Sequence, residues 1–161
     1  MAAGACGIQI EDQEFPKKCG HMLGRRVIGA EDMAAKVRVA VESRSDKDFL
    51  VVARTDARTT LGLDEALRRA ELYLEAGADV LFIESPESVE EMRTIGERFR
   101  GVPLLANMVE GGRTPLLDAS TLQELGYRIA IFPGLGFLAA GAALERAYGE
   151  LKAKGTSAGL S

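Results

Sequence analysis

The sequence predicts an α/β fold with a parallel sheet, and two observations support that prediction. Short apolar runs alternate with longer amphipathic stretches along the 161 residues, at a spacing of roughly 30 residues that is typical of βαβ units. The runs are rich in Val, Ile, Leu and Phe, as strands buried on both faces of a parallel sheet are. Right-handed crossovers between consecutive strands are therefore expected.

Each of five predicted strands is followed by a predicted helix. The strands are Gly7–Ile10, Phe49–Ala53, Val80–Ile83, Pro103–Ala106 and Arg128–Phe132. The helices are Ala30–Ser43, Asp64–Ala76, Ser88–Phe99, Asp118–Leu125 and Phe137–Lys154. Asp64 and Ser88 are predicted N-caps, because their side chains can accept hydrogen bonds from the free N–H groups of a first helical turn. The helical periodicity assigns Arg68 and Arg69 to the outward side of the second helix.

Composition and charge exclude several classes of protein. A formal net charge of -4 argues against a general nucleic-acid binder, which would carry a basic face. No apolar run approaches the ~20 residues of a membrane span, so we expect no membrane partner. Two cysteines are too few for a disulfide scaffold, and a cytoplasmic protein with reduced thiols is expected. We expect Cys6 to be a small buried thiol.

Polar side chains follow four successive predicted strands at the point where each ends: Glu11 and Asp12, Arg54, Glu84, and Asn107. Carboxyl ends of parallel strands lie at one edge of the sheet, which is where α/β folds place their functional sites. Because neighbouring residues of a strand point to opposite faces, at most one of Glu11 and Asp12 can enter such a site. Arg54 could hold a substrate carboxylate bidentately. Alternatively, Arg54 forms a structural ion pair with Glu11 or Glu84.

A second candidate feature is the segment that follows the first strand. It contains Lys17, Lys18, Cys19 and Gly20, and His21 is the single histidine of the chain. A cysteine near lysines and a histidine is in the setting of a reactive thiol. Its loop position fits a mobile gate, although Cys19 and His21 could equally be incidental loop residues. The carboxylates of the first strand suggest Mg²⁺, but no closed metal site follows from spacing alone.

Four strings of the sequence resemble the isocitrate lyase/phosphoenolpyruvate mutase superfamily. They are IEDQEFPKKCGH (Ile10–His21), ARTDA (Ala53–Ala57), LGLDEALRRAELYLEAGADVLFIE (Leu61–Glu84) and ANMVEGGRTPLL (Ala106–Leu117). Within that superfamily the chain is most similar to methylisocitrate lyase, dimethylmalate lyase, oxaloacetate decarboxylase and carboxyphosphonoenolpyruvate phosphonomutase. The resemblance implies a (β/α)₈ barrel, which needs ~250 residues. The chain would then form a partial TIM barrel of about five βα units, corresponding to strands 4 to 8.

The resemblance also implies boundaries and a missing part. Residues 1–154 are expected to form an incomplete (β/α) barrel domain, and residues 155–161 a flexible tail. The first three βα units of the family carry a DxD-type pair of metal ligands, which we expect to lie outside this chain. The family's members are usually homotetramers.

Roles for individual residues are implied only where the motifs match. Glu11 would support Mg²⁺ or Mn²⁺ through water, Cys19 would act as general acid, and Arg54 would hold substrate and developing negative charge. The remaining matched positions would bind substrate or line its pocket: Gly20, His21, Glu84 and Asn107. Family members that cleave tricarboxylates carry an arginine after the eighth strand, where this chain has Leu138. A smaller dicarboxylate substrate is therefore expected.

The implied activity is that of a Mg²⁺-dependent carbon–carbon lyase. It would cleave a small 2-hydroxy dicarboxylate through an enolate, and we expect this chain alone to be inactive. An oxaloacetate decarboxylase or a phosphonomutase on the same scaffold is one alternative. A non-catalytic barrel fragment is another.

Overall fold

The computed structural model describes residues 3–19 and 24–159, and over those residues five strands form one parallel sheet in chain order. The strands are β1 (Gly7–Glu11), β2 (Leu50–Thr55), β3 (Val80–Ile83), β4 (Leu104–Asn107) and β5 (Tyr127–Ile131). The helices are α1 (Ala30–Ser43), α2 (Arg58–Leu61), α3 (Leu63–Glu75), α4 (Val89–Arg98), α5 (Ala119–Glu124) and α6 (Leu135–Lys154). The predicted α/β class and parallel sheet are confirmed. The short helix α2 is an addition that the sequence pattern did not indicate.

The main core lies between one face of the sheet and helices α1, α3, α4 and α5. Met33, Tyr73, Met92 and Leu122 represent the four helices in this cluster, and alternate residues of the central strands complete it. The other face of the sheet carries a second, smaller cluster, in which Val80, Phe82 and Leu105 are buried. Helices on one face of a parallel sheet are the arrangement of a barrel wall, and the fold is that of a partial TIM barrel.

The chain divides into two compact units, Met1–Ile131 and Phe132–Ser161. The first unit contains the sheet and helices α1 to α5. The second contains α6, which ends at Gly155 in the left-handed conformation with a φ of 67°. The Gly155 N–H donates to the carbonyl of Leu151 at 2.8 Å and closes the last turn. None of the described helices has the length and apolar character needed to cross a membrane.

Three details of the sequence prediction are wrong. Helix α3 begins at Leu63 and its N-cap is Gly62, not Asp64. Gly62 joins α2 to α3 with a φ of 91°, a conformation that a residue with a side chain rarely adopts. The strands are not all buried on both faces, because β1 and β5 are the edges of the sheet and most of their side chains are partly or fully exposed. Cys6, just before edge strand β1, is exposed and not buried.

Candidate active site

The structure brings together Glu11, Arg54, Glu84 and Asn107 at the carboxyl edge of the sheet, called the rim below. The alternation along each strand explains why. Arg54 lies two residues after Val52, whose side chain packs on the smaller cluster, and the Arg54 guanidinium carbon lies 5.0 Å from the centre of the Phe82 ring. All four rim side chains are thus on the sheet face that faces away from the helices.

Arg54 is the centre of the rim. Its Nε and Nη2 donate to the two carboxylate oxygens of Asp56 at 3.0 and 2.9 Å, a bidentate arrangement that fixes the guanidinium plane. Its Nη1 lies 3.3 Å from Glu84 Oε2, and its Nε lies 3.5 Å from Glu11 Oε2. Burial lowers the pKa of Arg54, but the hydrogen bonds to Asp56 and the nearby carboxylates outweigh it, and the pKa lies above its usual value. Arg54 therefore stays charged at the rim.

Asp56 is shared by two arginines. Besides Arg54, Nη1 of Arg25 donates to Asp56 Oδ1, and both side chains of that pair are fully buried. Burial alone raises the pKa of Asp56. The hydrogen bonds and charges of Arg54 and Arg25 reverse the shift, and the pKa lies below its ordinary value. Asp56 is therefore an ionised anchor for Arg54, a role that the sequence analysis did not assign to it.

Asp12 follows Glu11 in the chain, and its buried side chain points to the opposite face of the sheet. Its Oδ2 accepts from Thr55 Oγ1 at 2.7 Å, Tyr73 Oη at 2.8 Å and Arg69 Nη1 at 3.1 Å. Its Oδ1 accepts from the backbone N–H of Asp56 at 2.8 Å. Asp12 thus fixes the backbone of Asp56, the residue that holds Arg54. Of the two adjacent carboxylates, only Glu11 faces the rim, as expected from the alternation along the strand.

Glu84 and Asn107 complete the rim on the side of β3 and β4. Asn107 Nδ2 lies 3.3 Å from each carboxylate oxygen of Glu84, and the Glu84 side chain is fully buried. Ser85 donates through Oγ to Glu84 Oε1 at 3.1 Å from a backbone with a φ of 60°. A non-glycine residue in that region stores about 1–3 kcal/mol of strain, which is characteristic of functional sites.

Cys19 is exposed, and it follows two lysines that have partners of their own. Lys17 Nζ lies 2.8 Å from Glu11 Oε1, and Lys18 Nζ donates to the carbonyl of Gly24 at 3.0 Å. Both ammonium groups therefore have partners other than the thiol, and the reactive setting of Cys19 stays a prediction. Gly20 and His21 lie outside the described residues.

Potential metal ligands near the rim are already engaged or too few. The described residues contain no group of three or more His, Cys, Asp or Glu side chains that could hold a metal ion. Glu11, the predicted support for Mg²⁺, is already engaged by Lys17 and Arg54. The chain does contain the spacing Asp46-Lys47-Asp48, but these residues are exposed in the turn before β2, at the end of the strand opposite the rim. The described residues do not by themselves form a metal site.

Four interactions of the site were missed by the sequence analysis. They involve Arg25, Arg69 and Tyr73, which lie outside the strand ends, and Gln13, which follows the first strand and binds the Lys18 backbone. Arg69 is the clearest case: it is only 5 % exposed, because its guanidinium reaches inward to Asp12. For Asp56, the string ARTDA was the available signal. Asp56 stands two residues after Arg54 and is therefore on the same side of the strand.

Parallel strands, helices on one face and ionisable side chains at the carboxyl ends of the strands define a protein of the (β/α)-barrel class. The family model described as phosphoenolpyruvate phosphomutase matches residues 1–152. The chain belongs to the phosphoenolpyruvate mutase/isocitrate lyase superfamily.

Relatives and solved structures agree with this assignment. The chain is 52% identical over 158 residues to 2,3-dimethylmalate lyase of Eubacterium barkeri, covering 98% of this chain and 54% of that protein. It is 49% identical to 2-methylisocitrate lyase of Aeropyrum pernix, covering 96% and 49%. A crystal structure of 2,3-dimethylmalate lyase superposes with a TM-score of 0.92 at 38% identity, covering 98% and 53%. The chain spans about half the length of the curated relatives it matches.

Proposed function

We propose that this chain supplies part of the active site of a lyase, an enzyme that cleaves a small 2-hydroxy dicarboxylate into a 2-oxo acid and a carboxylic acid. The observation that supports it most is Arg54, a charged and nearly buried guanidinium that Asp56 orients toward the rim. A guanidinium held in this way can bind a carboxylate and the enolate that develops from it without further reorganisation. The similarity to a 2,3-dimethylmalate lyase favours this substrate class.

The proposed reaction is a retro-aldol cleavage. The 2-hydroxyl group gives its proton to a carboxylate of the rim, which later releases it to solvent. The hydroxyl oxygen forms a carbonyl, and the adjacent carbon–carbon bond breaks. The electron pair of that bond passes into the enolate of the departing carboxylate, whose negative charge Arg54 stabilises. Cys19 then protonates the enolate carbon and recovers its proton from solvent. Gly20 and His21 stay predicted contacts of the substrate carboxylates, and Glu84 and Asn107 predicted walls of the pocket.

Charge balance supports the predicted cation. At the rim and around Arg54, the ion pairs described above join three carboxylates to three cations: Glu11, Asp56 and Glu84 with Lys17, Arg25 and Arg54. A dicarboxylate entering this balanced network adds two negative charges, which a divalent cation would offset. We therefore keep Mg²⁺ or Mn²⁺ as the proposed cofactor, with Glu11 as its support and its main ligands contributed from outside this chain. Isothermal calorimetry of Mg²⁺ with the chain alone should show no tight site.

Reconstitution tests the proposal. The chain is refolded together with the segments of the Eubacterium barkeri 2,3-dimethylmalate lyase that the match leaves uncovered, and 2,3-dimethylmalate and Mg²⁺ are supplied. Release of a 2-oxo acid, measured by NADH-coupled reduction, is the expected result. Arg54→Met should lower the rate by about 100-fold or more, and Cys19→Ser by a similar factor. Arg93→Met and Cys6→Ser, which change exposed residues away from the rim, are the matched controls.

The alternatives are separated by supplying other substrates to the same reconstituted protein. The chain is 44% identical to a carboxyvinyl-carboxyphosphonate phosphorylmutase of Arabidopsis thaliana, which favours a phosphonomutase as the second candidate. A decarboxylase would release CO₂ from oxaloacetate, and a non-catalytic fragment would release nothing from any of these substrates. Full cleavage by the Cys19→Ser variant would contradict the role of Cys19 while leaving the lyase reaction in place. A homotetrameric assembly and a cytoplasmic location stay proposals from the sequence.

A further inference from the structure

Gln13 is an almost fully buried polar side chain that lies two residues beyond Glu11 and outside the rim. It is 5 % exposed, and its backbone forms an isolated antiparallel bridge with Val27. Its side-chain amide makes two hydrogen bonds with one residue: Lys18 N–H donates to Oε1 at 2.8 Å, and Nε2 donates to the Lys18 carbonyl at 2.9 Å. The amide therefore pairs with the Lys18 backbone as a neighbouring strand would.

We propose that Gln13 is the positioning residue of Cys19, and this inference rests on the proposed role of Cys19 as the acid of the lyase. Lys18 is the residue immediately before Cys19, and both polar groups of its backbone are bound by Gln13. The residue before that, Lys17, is tied to Glu11 at 2.8 Å, and Glu11 in turn lies 3.5 Å from Arg54. Gln13 and Glu11 thus fix the two residues that precede the thiol, and they do so relative to the rim.

Residues 24–26, where the described chain resumes, are bound to the segment that contains Gln13 and Lys18. Lys18 Nζ donates to the Gly24 carbonyl at 3.0 Å, and the Glu14 N–H donates to the Arg26 carbonyl at 2.9 Å. Arg25, between these two residues, reaches Asp56, the anchor of Arg54. The segments on both sides of the undescribed residues 20–23 are therefore connected to Arg54. Lys17 is connected through Glu11, and Arg25 through Asp56. Gln123, by contrast, is exposed on α5.

The amide of glutamine is required because it both donates and accepts. Gln13→Leu removes both hydrogen bonds while keeping a side chain of similar size. Gln13→Glu keeps an oxygen for the Lys18 N–H but loses the donor to the Lys18 carbonyl, so it separates the two contacts. Gln123→Leu makes the same change of side chain on an exposed helix surface and is the matched control.

In the reconstituted enzyme, Gln13→Leu should lower kcat by about tenfold or more, and KM should change by a smaller factor. Cys19 acts after the substrate is bound, so a displaced thiol slows protonation itself, whereas Arg54 still binds the substrate when the predicted contacts Gly20 and His21 shift with the thiol. An unchanged kcat, or a rise in KM with kcat intact, would overturn the inference. Gln123→Leu should leave both constants unchanged.

Amide hydrogen exchange of the chain alone, measured by NMR, tests the clamp without any turnover. Gln13→Leu should accelerate exchange at Lys18 by about tenfold, the effect of losing one hydrogen bond. Exchange at Ile28, whose N–H donates to the Asp12 carbonyl at 2.8 Å, should not change, which shows that the fold persists. Gln13→Glu should keep the Lys18 amide protected. Equal exchange at Lys18 in Gln13→Leu and the unmodified chain would overturn the inference, and so would a parallel rise at Ile28. Failure of the lyase reaction itself would leave these rates untouched and is thereby distinguished.

Discussion

Asp12→Asn should be among the most destabilising isosteric substitutions in this chain. The buried carboxylate accepts four hydrogen bonds: three at Oδ2, from Thr55, Tyr73 and Arg69, and one at Oδ1 from the Asp56 N–H. An asparagine oxygen can replace Oδ2, but its NH₂ group then faces the Asp56 N–H. Two donors confront each other at that position, and the Asp56 N–H becomes a buried donor with no acceptor.

The magnitude follows from the two losses. A buried donor left without a partner costs about 1–3 kcal/mol. Removing one partner of a buried ion pair costs about 3–5 kcal/mol, but Arg69 keeps Glu65 at 2.9 Å, so the lower end of that range applies. Because the two effects share one side chain, they do not simply add, and we expect the free energy of unfolding to fall by about 3–4 kcal/mol.

Urea unfolding followed by circular dichroism, at low protein concentration, measures this change. Tyr73→Phe removes only one of the four donors and should cost about 1 kcal/mol. Asp48→Asn, at an exposed position, should change the free energy of unfolding by less than about 0.5 kcal/mol. The reasoning is refuted if Asp12→Asn costs no more than Tyr73→Phe, because Asp12 would then not be the anchor of this network.

Three further predictions concern the same unit of the fold. The guanidinium of Arg68, and then that of Arg69, lower the pKa of Glu65 to about 2. A carboxyl group whose pKa is lowered in the folded protein stabilises the fold at pH values above its ordinary pKa of 4.5, and this stabilisation is lost as the pH falls toward about 2. Glu65→Gln should therefore flatten the decline of the free energy of unfolding between about pH 4.5 and 2. An unchanged slope would contradict this. Gly96→Ala would place a Cβ 1.8 Å from the Leu125 carbonyl oxygen and should cost about 1–3 kcal/mol or more, whereas Gly149→Ala meets no neighbour and should be neutral or stabilising in urea titrations. Ser88→Ala removes the acceptor of the Glu91 N–H at 3.1 Å and should cost about 1 kcal/mol in the same titrations, and a cost near zero would show that this cap is not needed.

The sequence was sufficient for the features that depend on near neighbours in the chain. Apolar runs gave the strands to within two residues, and the cap at Ser88 was confirmed, because both are local patterns. Alternation along β1 was enough to separate Glu11 from Asp12. The prediction of Asp64 as a cap was wrong. Gly62 is both the C-cap of α2 and the N-cap of α3, so α3 begins at Leu63, one residue before Asp64.

Interactions between distant parts of the chain were the ones that could not be predicted. Arg69 was assigned to the outward side of α3, because arginine usually faces solvent and helical spacing alone cannot show a buried acceptor. That acceptor, Asp12, is 57 residues away in the chain. The Arg25–Asp56 pair spans 31 residues in the same way. Such contacts depend on how β1, β2 and α3 meet, and a single sequence does not contain that geometry.

Cleavage in D₂O tests the central claim, a lyase reaction in which Arg54 stabilises an enolate and Cys19 protonates it. The reconstituted enzyme should convert 2,3-dimethylmalate into a 2-oxo acid and a carboxylic acid that carries one deuterium at the carbon released from the broken bond, as read by mass spectrometry. The deuterium arrives through the thiol of Cys19, which exchanges with solvent, and Cys19→Ser should suppress the labelled product. Cleavage that yields an unlabelled acid, or label incorporation that is undiminished in Cys19→Ser, would contradict the account.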